Sequence, residues 1–333
     1  PTFFLGFPRL WERLMAKVQI EIDDSSWIHR KLYHAALEVG YRYSRKVLAG
    51  ESVSLGLAVK RKCFDWLVFW KLRERLGLRR LRVAISGGAP IAPQALEYFH
   101  AIGVAIREGY GQTECSCVAT IMPQDRLKFG TIGKPLPGVD IRIGEDGEIL
   151  IRSSGNFQGY FKELEKTAEA LRDGWLHTGD VGAFDEQGFL RITGRIKDLI
   201  ILSSGHNIAP QNLENLLKSS PYIMDAVIIG DKRPHPVALI ILDEEPVAHF
   251  CRRRGICFTT DADRTKRQEV RELIDEEVKK VNRQFADRDQ VVRFQILEWE
   301  LDDEEGELTP TGKVRRAHMG AHFGSIIDSM YTE

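Results

Sequence analysis

Residues 109–114 read GYGQTE. Gly109 and Gly111 let the backbone turn sharply and come close to another group. Tyr110 offers a flat ring face suited to stacking. Gln112 and Thr113 are neutral hydrogen-bonding groups, and Thr113 can reach a phosphate oxygen. Glu114 is a hard oxygen ligand of the kind that holds Mg2+ together with substrate phosphates. Taken alone, the stretch reads equally well as a polar turn. A second run, SGGAP at 86–90, forms a wall nearly free of side chains. Gly88, Ala89 and Pro90 can lie against a flat ring, or simply turn the chain from a strand into a helix.

Three further groups stand out. DGWLHTGD at 173–180 ends in Asp180, a single carboxylate able to accept from paired hydroxyls, or to cap a turn. His177 beside it has no visible Asp or Ser partner and reads as structural. FLRITGRIKD at 189–198 contributes Arg195, a permanent cation with a forked donor array. ELTPTGKVRR at 307–316 places Lys313 after a glycine. No apolar strand feeds that loop, and no Ser or Thr follows the lysine, so it is not a phosphate-cradling loop. A solvated lysine and a catalytic cation both fit what remains.

The elements that must position these groups follow from hydrophobic periodicity and punctuation. Residues 10–80 are mostly helical by pattern, and residues 63–78 (CFDWLVFWKLRERLGL) are apolar and aromatic with basic flanks. That segment is expected to be a core helix in preference to a membrane-surface helix. The apolar run 81–85 precedes SGGAP, Pro93 opens a helix that Gly103 ends, and 104–106 is a second strand before EGYGQTE. Strand, helix, strand is a parallel crossover unit, and ligands of such sheets bind beyond the carboxyl ends of the strands. From 129 to 195 Gly and Pro are frequent, and short strands are expected at 140–143, 148–152 and 189–193. Beyond that, a helix from Pro210, strands at 226–229 and 237–242, a long helix over 264–285 and a strand at 292–297 make a compact α+β domain.

The expected fold is therefore α/β. A partial large domain (1–195) comprises a parallel α/β unit (1–123) and a small β-barrel-like module (124–195). A small α+β domain (196–333) follows. The chain of 333 residues has a formal charge of -1, which removes the basic field that nucleic acid requires. Its five cysteines are too few and scattered for a disulfide scaffold, and Cys115-Ser116-Cys117 lacks metal-site spacing. No window approaches the roughly 20 apolar residues of a membrane span. A cytoplasmic location is expected, with the segment around Trp66, Phe69 and Trp70 as the place where a membrane surface would touch. The opening PTFFLGFPRLWERL reads as mid-domain sequence, so the natural protein is expected to start further upstream.

In order and spacing the motifs resemble the adenylate-forming superfamily, and within it the long-chain fatty acid–CoA ligases, including the bubblegum-like group. The resemblance rests on ISGGAPI, EGYGQTE, GTIGKPLPGVDIRI, GNFQGYFKELEKTAE, DGWLHTGDVG, GFLRITGRIKDLIILSSGHNIAPQNLENLLKSSPYI, VIIGDKRP and GELTPTGKVRR, which span nearly the whole chain. It implies ATP-dependent conversion of a fatty acid to an acyl-adenylate, then thioester formation with coenzyme A and release of AMP. An acyl-AMP ligase that loads a carrier protein, and an inactive nucleotide-binding fragment, are the alternatives. The resemblance implies that Tyr110 packs on adenine near Gly88, Ala89 and Pro90, with Gly111 and Gln112 beside the nucleotide. Thr113 would bind phosphate, Glu114 Mg2+, and Asp180 the ribose hydroxyls. Ile192 would flank the base and Arg195 contact the nucleotide. Asp198 would be the hinge of a rotating C-terminal domain, and Ser204, Gly205 and His206 would face coenzyme A. Lys313 would be the lysine of adenylation.

The sequence departs from the family in four places. The Ser/Thr/Gly-rich phosphate loop ending in Pro-Lys-Gly is absent, so the chain by itself is expected to show no ATP–pyrophosphate exchange with palmitate. His206 stands where relatives often have Lys, Gly312 where close relatives often have Leu, and RPHPVALI lacks the usual aromatic after its first proline. The last three are expected to tune activity.

Overall fold

The computed structural model describes residues 1–298 and 316–332. The chain packs as two compact units, Pro1–Thr193 and Gly194–Glu333. Each has its own apolar core.

The first unit begins with strand Phe3–Gly6, which pairs in parallel with Val83–Ser86. Val83–Ser86 pairs in parallel with Ile106–Tyr110. Two short antiparallel strands, Thr120–Ile121 and Lys134–Pro135, complete this sheet. Helices Pro8–Asp23, Trp27–Leu48 and Pro93–Ala101 cover it. Each of the first and last starts with a proline, whose missing N–H costs nothing in a first turn. Trp11 is fully buried edge-on against Phe99, with ring centroids 5.1 Å apart. The Tyr33 hydroxyl donates to the Tyr98 hydroxyl at 3.1 Å, so two buried polar ends satisfy each other.

Two expectations shift here. The second strand runs Ile106–Tyr110 where 104–106 was expected, so Glu108, Gly109 and Tyr110 lie within it. The segment 63–78 is not one core helix. It comprises the end of helix Leu55–Phe64, a π-helical turn Asp65–Phe69 and helix Trp70–Arg75. Phe69 is buried as expected, but Trp66 and Trp70 are exposed.

The second sheet of this unit runs Val139–Ile143, Glu148–Ser153, Trp175–Phe184 and Leu190–Arg195 in hydrogen-bonded order, with Leu171–Arg172 pairing against Trp175–Phe184. It is an open path of strands. The ten-residue strand Trp175–Phe184 is not among the strands expected from the sequence. Its interior glycines hid it: Gly182 passes so close to the neighbouring strand that a Cβ there would lie 2.4 Å from the Arg191 carbonyl oxygen.

The second unit is built on Ile223–Ile229, Val237–Leu242 and Arg293–Ile296, the first pair antiparallel and the second parallel. Val237–Leu242 is buried along its whole length because both faces are covered. Ala238, Ile240 and Leu242 point to a core shared with helices Pro210–Leu217 and Gln268–Asn282. Val237, Leu239 and Ile241 alternate to the other face, against Met319 of helix Arg316–His322, Ile327 of helix Gly324–Ser329 and Phe323 between the two. Sequence reading did not foresee those last two helices. The helix expected over 264–285 is two, Asp261–Lys266 and Gln268–Asn282, because Arg267 between them is extended (φ -66°, ψ 133°).

Candidate active site

Parallel pairing puts the two glycine-rich stretches side by side. Ser86 is the register partner of Glu108. A Cβ on Gly87 would sit 3.1 Å from the Gly109 carbonyl oxygen, a tight approach that glycine relieves. Gly88 turns with φ +87° over the Phe7 ring, and Gly88, Ala89 and Pro90 are exposed. The following helix is anchored by the Ala92 N–H, which donates to Glu12 at 3.1 Å.

After Tyr110 the chain enters a single 3-10 turn, Thr113–Cys115. The Gln112 N–H donates to the Cys115 sulfur at 3.1 Å, and the thiol returns a contact to the Gln112 carbonyl at 3.3 Å. A Cβ on Gly111 would lie 2.3 Å from the Cys117 carbonyl oxygen, so only glycine fits beneath the turn. The turn presents Thr113 to solvent and leaves Glu114 half-buried.

Asp180 reaches this turn from the second sheet by a bulge. Leu150 pairs with His177 and Glu148 with Val181, so one strand advances two residues while the other advances four. Thr178, Gly179 and Asp180 fill the excess, and Gly179 takes φ +70°. Bulges re-aim side chains in this way near functional sites. The Tyr110 hydroxyl donates to Asp180 Oδ2 at 2.7 Å, and the Gln112 amide donates to the same oxygen at 2.7 Å and to the Thr178 carbonyl at 2.9 Å. Burial, and then the Asp180 charge, push the Tyr110 phenol far above its ordinary value, so it remains a donor. Ile192 packs on the same apolar cluster as Tyr110.

Glu148, buried in the neighbouring strand, holds the bulge from behind. It accepts from the Gly179 N–H at 2.7 Å and lies 2.7 Å from His177 Nδ1. His177 therefore has an acid partner, contrary to the sequence reading. Its role remains structural, since it braces the bulge. Glu114 is also held: the Tyr160 hydroxyl donates to its Oε1 at 2.8 Å, and its carbonyl accepts from the Phe157 N–H at 2.7 Å. Among the described residues no cluster of three or more His, Cys, Asp or Glu forms a metal cage. A single carboxylate fits Mg2+ all the same, because that ion keeps several waters and shares one or two carboxylates with phosphates.

Sequence reasoning missed Glu148, Tyr160, Thr178 and Glu108. Glu108 is buried, accepts from the Ile91 backbone, and its carboxyl is pushed up to about 8 by burial. A glutamate inside an apolar strand, as in GEILI and IREGY, was the available signal.

The other candidates lie at or beyond the boundary between the two units, which falls within strand Leu190–Arg195. Arg195 ends strand Leu190–Arg195. Asp198 accepts from the Gln211 amide at 2.9 Å. Ser204, Gly205 and His206 form the turn between the short strands Ile200–Ile201 and Asn207–Ile208, with Gly205 at φ +80°. His206 Nε2 lies 2.6 Å from Asp289 Oδ1. Lys313 lies outside the described residues.

Residues 1–161 match the family model for the AMP-binding enzyme, and residues 197–333 match that for the AMP-binding enzyme C-terminal domain. The chain belongs to the AMP-binding enzymes. It is 36% identical over 334 residues to the long-chain-fatty-acid–CoA ligase FadD15 of Mycobacterium bovis, covering 100% of this chain and 55% of that protein. It is also 36% identical over 357 residues to the long-chain-fatty-acid–CoA ligase ACSBG2 of Xenopus laevis, covering 100% of this chain and 48% of that protein. The chain thus spans about half the length of the curated relatives it matches. Among solved structures, the adenylation domain of a carboxylate reductase from Mycobacterium chelonae aligns with a TM-score of 0.67 at 20% identity, over 100% of this chain and 47% of that one. The A-PCP didomain of the Segniliparus rugosus carboxylic acid reductase, in complex with AMP, gives 0.66 at 20% identity, over 100% of this chain and 42% of that one. The chain shares its fold with part of these adenylation-domain structures.

Proposed function

We propose that the protein activates a long-chain fatty acid as its adenylate and passes the acyl group to coenzyme A, with this chain supplying the adenosine side of the site. The observation that carries this reading is the buried Asp180 carboxylate, held by Tyr110 and Gln112 at the carboxyl end of a parallel strand. A fixed carboxylate accepts well from two vicinal hydroxyls, and the exposed Gly88, Ala89 and Pro90 offer a flat surface to a base beside the largely buried Tyr110 ring.

In the first half-reaction a fatty-acid carboxylate oxygen bonds to the α-phosphorus of ATP while the bond to pyrophosphate breaks. Thr113 donates to phosphate, and Glu114 would hold Mg2+, which neutralises charge on the phosphate oxygens. Lys313 acts as a compact cation beside the developing charge, a contact whose loss typically costs about 10²–10³ in rate. In the second half-reaction the coenzyme A sulfur bonds to the acyl carbon and AMP leaves. Asp198 serves as the hinge near the boundary between a 1–195 domain and a 196–333 domain. Ser204, Gly205 and His206 serve the coenzyme A side, and Arg195 and Ile192 the nucleotide.

The test is competition binding to the chain by AMP and by a non-hydrolysable palmitoyl-adenylate analogue. The reading predicts that the two compete and that the analogue binds more tightly. An analogue that binds no better than AMP would remove the fatty-acyl half of the proposal. Supplying palmitoyl-AMP with either coenzyme A or a phosphopantetheinylated carrier protein then decides the acceptor.

A further inference from the structure

The segment 55–75 has two apolar faces, and the core accounts for one. Phe69 is fully buried, and Phe64, Val68 and Leu72 pack beside it. Leu55, Val59, Trp66 and Trp70 recur at intervals of four, seven and four, and they remain 84%, 55%, 75% and 38% exposed, with Leu67 at 46%. The π-helical turn Asp65–Phe69 lies within this run. A π turn holds more residues than an α turn, so it keeps Trp66 and Trp70 on the same side while Phe69 reaches the core. Isolated exposed apolar residues are ordinary, but five along one segment, two of them tryptophan, form a patch.

The charges that this segment leaves without an ion pair to a described residue have one sign. From 55 to 80 the only acids are Asp65 and Glu74. Arg61 and Arg73 take Asp65 at 3.0 and 2.7 Å, and Arg79 takes Glu74 at 3.4 Å while its guanidinium lies over the Trp70 ring. Lys60, Lys62, Lys71, Arg75 and Arg80 are exposed and make no ion pair to a described residue. We propose that this face docks on an anionic lipid bilayer, with Trp66, Leu67 and Trp70 entering the headgroup boundary and the bordering lysines and arginines meeting lipid phosphates. Tryptophan favours that boundary, and basic side chains at an anionic surface contribute about 1 kcal/mol each. A second copy of the chain is a poorer occupant, because its identical patch would bring the same unpaired cations face to face. Among the described residues no helix is long and apolar enough to cross a membrane. This inference does not depend on the proposed chemistry.

The test is co-sedimentation of the chain with vesicles of equal parts phosphatidylcholine and phosphatidylglycerol, against vesicles of phosphatidylcholine alone. Sedimentation with the anionic vesicles, weakened by salt, is expected. Two double variants, Trp66→Ser with Leu67→Ser and Lys60→Glu with Lys62→Glu, should each lower the partition coefficient by at least about tenfold. Unchanged thermal melts will show that these exposed positions do not unfold the chain. The proposal fails if the chain does not sediment, if it prefers neither vesicle, or if both variants bind like the parent. It fails equally if light scattering without vesicles shows a dimer that Trp66→Ser dissolves.

Discussion

The Tyr110 hydroxyl and the Asp180 carboxylate, 70 residues apart in the chain, meet at 2.7 Å and tie the two sheets of the first unit together. Both are buried, so the bond is shielded from water. Tyr110→Phe keeps the ring and removes the donor. It should destabilise the unit by about 1–3 kcal/mol, the usual cost of leaving a buried charged group short of a partner. Urea unfolding measures this, and a variant as stable as the parent would show that the bond is incidental.

Tyr160 meets Glu114 at 2.8 Å, and its ring packs edge-on against Phe157 at 4.8 Å. Tyr160→Phe preserves the ring contact and releases the carboxylate. If the hydroxyl orients Glu114 for Mg2+, the variant needs several-fold more Mg2+ to reach half-maximal enhancement of ATP binding, while AMP binding without Mg2+ is unchanged. Calorimetric titrations of ATP at graded Mg2+ read this directly. Equal Mg2+ dependence in parent and variant would give the bond a structural role alone.

Glu148 accepts the Gly179 N–H and pairs with His177, so it braces the bulge that carries Asp180. Glu148→Ala leaves a backbone donor without its partner and should cost about 1–3 kcal/mol in stability. AMP affinity should fall with it, because the bulge loses its support. Retained affinity in a destabilised variant would separate the brace from the site.

Much of the framework was legible because it is local. Pro93 and Gly103 bracket the helix Pro93–Ala101, and the apolar runs mark Val83–Ser86 and Val237–Leu242 closely. The site was legible as residue types and motif order, but its geometry was not. Asp180 is placed by pairing between strands some 30 residues apart and by a register jump, and neither leaves a local periodic signal. Gly179 and Gly182 interrupt the apolar alternation that would have marked the ten-residue strand. The split of the 264–285 helix at Arg267 had no proline or glycine to announce it. The π turn that lets Phe69 point inward and Trp66 outward likewise depends on packing that a fixed helical period does not capture.

Glu108 makes stability depend on pH. Burial raises its carboxyl to about 8 from an ordinary value of 4.5. The folded state therefore keeps a proton that the unfolded chain gives up first. This contribution to stability is full below about pH 4.5 and is lost progressively as pH rises to about 8. Glu108→Gln, neutral at every pH, should flatten that slope and leave the variant more stable than the parent at pH 8. Parallel stability–pH curves for the two proteins would mean that Glu108 is ionised in the fold.

The central claim is that Asp180, fixed by Tyr110 and Gln112, is the group on which an adenosine nucleotide is held. Isothermal titration of AMP into the parent chain and into Asp180→Ala tests it most directly. The account predicts saturable one-to-one binding by the parent, and an affinity at least about tenfold lower in the variant, since each lost hydrogen bond to a charged group is worth about 1.5–3 kcal/mol. Equal affinity in the two proteins, or no binding by the parent, would contradict it.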